Sequence, residues 1–114
     1  MSDTINMPVL ALRGLAVFPG CILSFDVERE ISIRALEKAM EQDQYAFLVA
    51  QRETGEDQPG ERDLYSVGTM SVIRQVLRMG DAAVRVIVEG KGRARLRRLW
   101  QTEPYLQGNV EPLR

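Results

Sequence analysis

Residues 66–100 constrain the fold of this chain more than any other stretch. Ser66-Val-Gly-Thr-Met-Ser-Val-Ile-Arg-Gln-Val-Leu-Arg-Met79 leads through Gly80-Asp81 into Ala82-Ala-Val-Arg-Val-Ile-Val-Glu-Gly90. In the second run Val84, Val86 and Val88 share one face, while Ala83, Arg85, Ile87 and Glu89 share the other. A period of two with β-branched residues on one side is the pattern of a half-buried strand. The first run breaks that rule. Met70, Val72 and Val76 share a phase, but Ile73 and Leu77 take the opposite one, which predicts a β-bulge or a strand covered on both faces. Gly80-Asp81 supplies the residues that a tight turn with positive φ prefers. After Gly90-Lys91-Gly92 a third run, Arg93-Ala-Arg-Leu-Arg-Arg-Leu-Trp100, alternates through Ala94 and Leu96 and then slips to Leu99. The block reads as a bulged β-meander of three strands, and hence a curved sheet or small barrel.

The remaining elements follow in order. Met7–Leu12 is a short apolar strand whose Pro8 suits a strand start or sheet edge. Leu15-Ala-Val-Phe-Pro-Gly20 is an apolar loop, where loops are ordinarily polar; it either plugs one end of a barrel or is a contact surface. Cys21–Val27 is a second strand with Cys21, Leu23, Phe25 and Val27 on one face. Cys21 reads as a small buried hydrophobe, since no cation adjoins it in sequence to activate a thiol. From Glu28 to Gln44 the period turns helical, with Ile33, Leu36, Ala39 and Met40 as the apolar stripe. Tyr45–Ala50 is continuously apolar and reads as a central, well-covered strand. Residues 51–63 carry Gly55, Pro59 and Gly60 and read as a solvated, mobile loop. Its acids (Glu53, Glu56, Asp57, Glu61 and Asp63) lack calcium-loop spacing. Residues 105–110 form a last alternating strand with Leu106 and Val110 on one side. The stop at Arg114 directly after it fits a fragment of a longer chain. Met70 and Met79 are assigned to the core.

The totals exclude several chemistries. One domain of 114 residues is expected, with a net charge of −1, which gives no support to wholesale nucleic-acid binding. Histidine is absent and Cys21 is the only cysteine. An intrachain disulfide, a His/Cys zinc site and any Ser-His or Cys-His dyad are therefore ruled out. Asp26 and Glu28 point the same way on an extended strand, but no constellation surrounds them, so no catalytic or metal-binding residue is assigned. No run approaches the ~18 apolar residues of a membrane span. The first six residues lack the basic and apolar pattern of a secretory leader, so a reducing cytoplasmic setting is expected.

Taken together, residues 8–20, 25–40, 47–51, 64–69, Ile73, 86–90 and 93–96 resemble, in order, the amino-terminal domain of the Lon ATP-dependent protease family. The resemblance is carried by Pro8-Val-Leu-Ala-Leu-Arg-Gly-Leu-Ala-Val-Phe-Pro-Gly20, Phe47-Leu-Val-Ala-Gln51, Leu64-Tyr-Ser-Val-Gly-Thr69 and Val86-Ile-Val-Glu-Gly90, among others. It implies a mainly β fold: a PUA-like pseudo-barrel of about six curved strands with one helix packed on it, spanning residues 1–114. It also implies a non-catalytic role in capturing unfolded or degron-bearing proteins for a hexameric, ATP-driven protease. The family's helical second lobe and its ATPase and Ser-Lys peptidase regions have no counterpart here, and no G-x-x-x-x-G-K-[ST] run occurs. ATP and Mg would belong to the full-length chain and not to this domain.

For client binding the candidates are Leu15, Val17, Phe18, Pro19 and Ile22. An exposed sheet edge adds the options of pairing with an extended peptide or of weak self-association. The alternative is a stand-alone module that binds RNA through Arg93, Arg95, Arg97 and Arg98. That strand has few aromatics for base stacking, with only Trp100 close by.

Overall fold

The computed structural model describes residues 4–55, 59–80 and 83–113. Six strands and one α-helix run in the order β1 (Ile5–Leu12), β2 (Ile22–Val27), α1 (Glu30–Glu41), β3 (Tyr45–Ala50), β4 (Val67–Arg78), β5 (Val84–Gln101) and β6 (Gln107–Pro112). The sheet order is β2-β5-β4-β3-β1-β6, and β6 pairs back onto β5. Five strands therefore close a ring, and β2 flanks it. This is the expected mainly β pseudo-barrel with one helix.

The closure depends on β5, an 18-residue strand. Sequence reading divides this stretch at Gly90-Lys91-Gly92, but the strand runs straight through it. β4 pairs along one edge of β5, from Val67↔Arg95 to Arg78↔Val84. The other edge holds β2 over Val84–Glu89 and then β6 over Ala94–Gln101. One strand can serve three partners only if it bends, and extra residues provide the bend. Met70 faces Gly92 while Ser71 faces Gly90, so Lys91 is inserted on β5. Ile73 faces Val88 while Gln75 faces Ile87, so Arg74 is inserted on β4. Similar shifts follow Leu96 and Leu99. An inserted residue flips every later side chain to the other face. This explains the phase change in β4, where Thr69, Ser71 and Ile73 are buried on one side of the bulge and Val76 packs inward on the other.

β1 and β3 pair in parallel, Val9↔Phe47 to Leu12↔Ala50, and both are buried on two faces. Their odd positions (Met7, Val9, Ala11, Phe47 and Val49) join Leu64, Ala94, Leu106 and Val110 in one apolar cluster. Their even positions (Leu10, Leu12, Ala46 and Leu48) meet Val84, Val86 and Val88 of β5 and the helix residues Ala35, Leu36 and Ala39 in another. Double-sided burial accounts for the continuous apolar run of β3.

The helix differs in detail from its sequence pattern. Ser32, Ala35, Leu36 and Ala39 form its buried face, whereas Met40 is exposed and Ile33 only half-buried. Small residues let the helix axis approach β1 closely, and this rotates the larger Met40 to the rim. At its C-terminal end Gln44 takes a positive φ of 69°. It exchanges two hydrogen bonds with Ile73: the Ile73 amide donates to its carbonyl at 2.7 Å, and its own side-chain Nε2 donates to the Ile73 carbonyl at 2.8 Å.

Two further expectations need correction. Met79 is 45% exposed rather than core, because it stands at the end of β4, where its amide bonds Ala83 across the hairpin at 2.9 Å. Gly80 has the expected positive φ of 85°; Asp81 lies outside the described residues. The segment after β3 is anchored rather than loosely solvated. Gln51 and Pro59 are buried, Gln51 bridges to Leu64, and the Arg52 amide bonds Asp63 at 2.8 Å. Glu56 and Asp57 lie outside the described residues.

Phe47 is the largest fully buried side chain and sits where β1, β3 and β4 converge. Replacing it with alanine should destabilise the chain by about 3–5 kcal/mol, read from the shift in a urea unfolding curve.

Candidate functional site

The apolar loop between β1 and β2 alternates, and the alternation decides what each residue does. Leu15 is half-buried against the helix-side cluster, and Val17 is buried within it. Ala16, Phe18 and Pro19 face outward, with Phe18 53% exposed. Ile22, the first residue of β2, is 65% exposed. The assignment of Val17 to a contact surface is therefore corrected: its side chain is core, and it anchors the loop. Buried and exposed residues thus lie side by side in one segment.

Hydrogen bonds fix this loop in place. The Val17 carbonyl accepts from the Thr69 hydroxyl at 2.6 Å in a buried position. The Gly20 amide donates to the Gly90 carbonyl at 2.9 Å, and the Gly90 amide to the Cys21 carbonyl at 2.8 Å. Cys21 closes the turn by donating to the Phe18 carbonyl at 3.0 Å. The loop passes so close to β5 that a Cβ on Gly90 would lie 2.2 Å from the Phe18 carbonyl oxygen. Cys21 itself is half-buried, less enclosed than a core residue.

Beside the loop, Ala16, Phe18, Tyr65, Val67 and Arg93 border a small depression of about 90 Å³. The Arg93 guanidinium lies over the Phe18 ring at 5.7 Å, and that of Arg52 over the Tyr65 ring at 4.8 Å. Tyr65 is 47% exposed. Sequence reading passed it over as a surface aromatic, because no periodicity marks an isolated residue just outside a strand. Its nearness to Phe18 arises only when β4 is laid beside the loop.

The basic strand does not form an open cationic row. Arg93 is engaged by Phe18. Arg97 forms an ion pair with Glu111, its Nε 2.6 Å from the carboxylate. Arg95 is half-buried opposite Glu111, and Arg98 is exposed. Lys91 pairs with Glu89 at 3.1 Å, and Glu89 also binds Arg74. Asp26 takes a hydrogen bond from Arg85 across the β2–β5 ladder at 2.8 Å, so it pairs with a neighbour rather than with Glu28. Among the described residues no group of three or more His, Cys, Asp or Glu side chains is arranged to hold a metal.

This architecture matches known proteins. Residues 6–114 fit the family model described as the ATP-dependent protease La (LON) substrate-binding domain. The chain belongs to that family. It is 42% identical over 108 residues to the Lon protease of Clostridioides difficile, covering 95% of this chain and 14% of that protein. Against the Lon protease of Erwinia amylovora it is 45% identical over 112 residues, covering 98% of this chain and 14% of the relative. The chain thus spans about one seventh of the curated Lon proteases it matches. Among solved structures, the N-terminal domain of the Mycobacterium avium complex Lon protease superposes with a TM-score of 0.71 at 20% identity. That match covers 96% of this chain and 54% of the other. A Lon N-terminal domain protein from Xanthomonas campestris gives 0.72 at 14% identity, covering 96% and 60%. At these identities the structural matches speak for the Lon N-terminal fold alone.

Two outcomes test the site's construction. Thr69→Val removes the donor to the buried Val17 carbonyl and should cost about 1–3 kcal/mol. Amide exchange at residues 17–21 should accelerate more than exchange in β1. The second outcome concerns the surface ion pairs. The hydrogen bond from Arg85 holds Asp26 below its ordinary pKa, and the bonds from Arg74 and then Lys91 do the same for Glu89. A carboxylate whose pKa is depressed by folding stabilises the native state above its unfolded pKa and loses that contribution as pH falls through the folded value. In an NMR titration Arg85→Ala should raise the pKa of Asp26 back toward that of an unperturbed aspartate.

Proposed function

We propose that this chain is a non-catalytic recognition domain of an ATP-dependent Lon protease, one that helps capture unfolded or degron-bearing polypeptides. One observation carries the reading beyond family membership. An apolar loop is pinned to the barrel by its backbone and by Val17, yet it presents Phe18, Pro19 and Ile22 to solvent. Ordering a loop costs conformational entropy on binding, and a loop already ordered in the free protein avoids that cost. Burying one such side chain against a client is worth about 1.5–3 kcal/mol, so the few residues here support weak, sequence-tolerant contact. That suits a surface that must accept many chains.

In this reading the remainder of the Lon chain supplies ATP- and Mg-dependent unfolding and Ser-Lys proteolysis within a hexamer in the cytoplasm. Captured segments pass to it. No helix among the described residues is long and apolar enough to cross a membrane. The RNA alternative through Arg93, Arg95, Arg97 and Arg98 is weakened by the partners that Arg93 and Arg97 already hold.

The test is titration of the chain with β-casein, an unfolded polypeptide, followed by amide NMR at two salt concentrations. Shifts centred on residues 17–22 and insensitive to salt are expected. Phe18→Asp should weaken binding tenfold or more while the urea midpoint stays near that of the parent. If Phe18→Ala and Phe18→Asp unfold the chain without selectively weakening binding, the loop is a structural plug. Silence toward casein, with salt-sensitive shifts at residues 93–98 on adding RNA, would establish the nucleic-acid reading instead.

A further inference from the structure

β2 has one paired edge and one open edge. The Gly90 amide donates to the Cys21 carbonyl, which fixes Cys21 as a bonded partner of β5. In an antiparallel ladder bonded and non-bonded pairs alternate. Given the register Leu23↔Val88, Phe25↔Val86 and Val27↔Val84, the odd residues spend their amides and carbonyls on β5. Ile22, Ser24 and Asp26 therefore direct theirs away from it. Among the described residues no second strand pairs with β2, and no backbone bond reaches those three positions.

Proteins ordinarily blunt such an edge with charge, proline, a bulge or a covering element. The distal half of β4, whose outer edge is also unpaired past Ile73, shows that protection. Helix α1 lies beside it, and Glu37 pairs with Arg78 at 3.8 Å. On β2 the four residues Ile22-Leu-Ser-Phe25 carry neither charge nor proline. The C-terminal end of β2, from Phe25, borders a groove of about 360 Å³ together with Leu12, Arg13, Leu15, Asp26 and Glu28. On the far wall of that groove the Ala11 carbonyl of β1 is taken by the Arg29 guanidinium at 2.7 Å.

We infer that the open edge of β2 binds an extended segment of a non-native polypeptide as an added antiparallel or parallel strand. This rests on the capture reading above and gives it a geometry. The unpaired amides and carbonyls of Ile22, Ser24 and Asp26 accept any extended backbone whatever its sequence. The half-buried Leu15 and Phe25 border the groove at the C-terminal end of β2 and are placed to receive apolar side chains of the segment there. Folded proteins leave extended backbone unpaired only at sheet edges, so the edge favours unfolded segments.

Proline at position 24 removes an amide that has no bonding partner among the described residues and leaves the β5 ladder intact, a placement that edge strands tolerate. Ser24→Pro should weaken β-casein binding at least fivefold, and Ser24→Ala less than twofold. In the parent chain, saturating casein should slow amide exchange at Ile22, Ser24 and Asp26 tenfold or more, while Leu23 and Phe25 are protected throughout. The exchange measurement decides the matter even if Ser24→Pro fails to fold. Casein binding that leaves those three amides unprotected overturns edge pairing while capture by the loop survives. Absence of casein binding by the parent chain overturns both. Protection that rises with protein concentration alone, together with a dimer in sedimentation, shows the occupant to be a second copy and overturns the inference.

Discussion

The bend in β5 at Gly90 is the constraint on which the rest of the structure depends. β4 occupies one edge of that strand continuously, but the opposite edge changes hands from β2 to β6. The changeover leaves Gly90 to Arg93 outside both pairings, and the apolar loop bonds Gly90 through Gly20 and Cys21. A side chain at position 90 would collide with the Phe18 carbonyl, so the residue at the changeover has to be glycine. Closure of the barrel and presentation of the loop are thus one event. The strand bends because residues are inserted opposite one another's neighbours, and the loop is held because the bend exposes backbone groups that need partners.

Much of this was readable from residue order. The alternation of Val84, Val86 and Val88 marked the buried face of β5, and the clash of phases between Met70 and Ile73 marked a bulge. The unbroken run of β3 marked a strand with two covered faces. What misled was glycine. Gly90-Lys91-Gly92 reads as a break, because glycine supplies turns far more often than it supplies room for a crossing backbone. The distinction depends on a loop seventy residues earlier in the chain, which no local pattern contains.

The candidate site divides along the same line. That the loop is apolar was evident, and so were its two possible fates. Which residue took which fate was not, because a loop has no fixed period to sort its side chains. Val17 is core for a reason far away in sequence, the Thr69 hydroxyl that takes its carbonyl. Tyr65 joins the surface because β4 runs beside the loop. The basic run from Lys91 to Arg98 looked like a charge feature, yet its partners Glu89 and Glu111 come from its own strand and its neighbour.

That internal pairing bears on the kind of recognition this surface can perform. A cationic face steers its partners from a distance and loses affinity with salt. Here several charges near the loop have a nearby partner: Asp26 with Arg85, Glu89 with Arg74 and Lys91, Arg93 against the Phe18 ring. What remains to meet another chain is apolar side chain and open backbone. Both act only at contact, and both demand of the partner an extended segment with exposed apolar groups. A folded protein hides most of both, leaving them at open sheet edges and surface patches, and an unfolded one shows them regardless of sequence. If the surface captures clients as proposed, neutralised charge leaves it little means to prefer one client's sequence over another's.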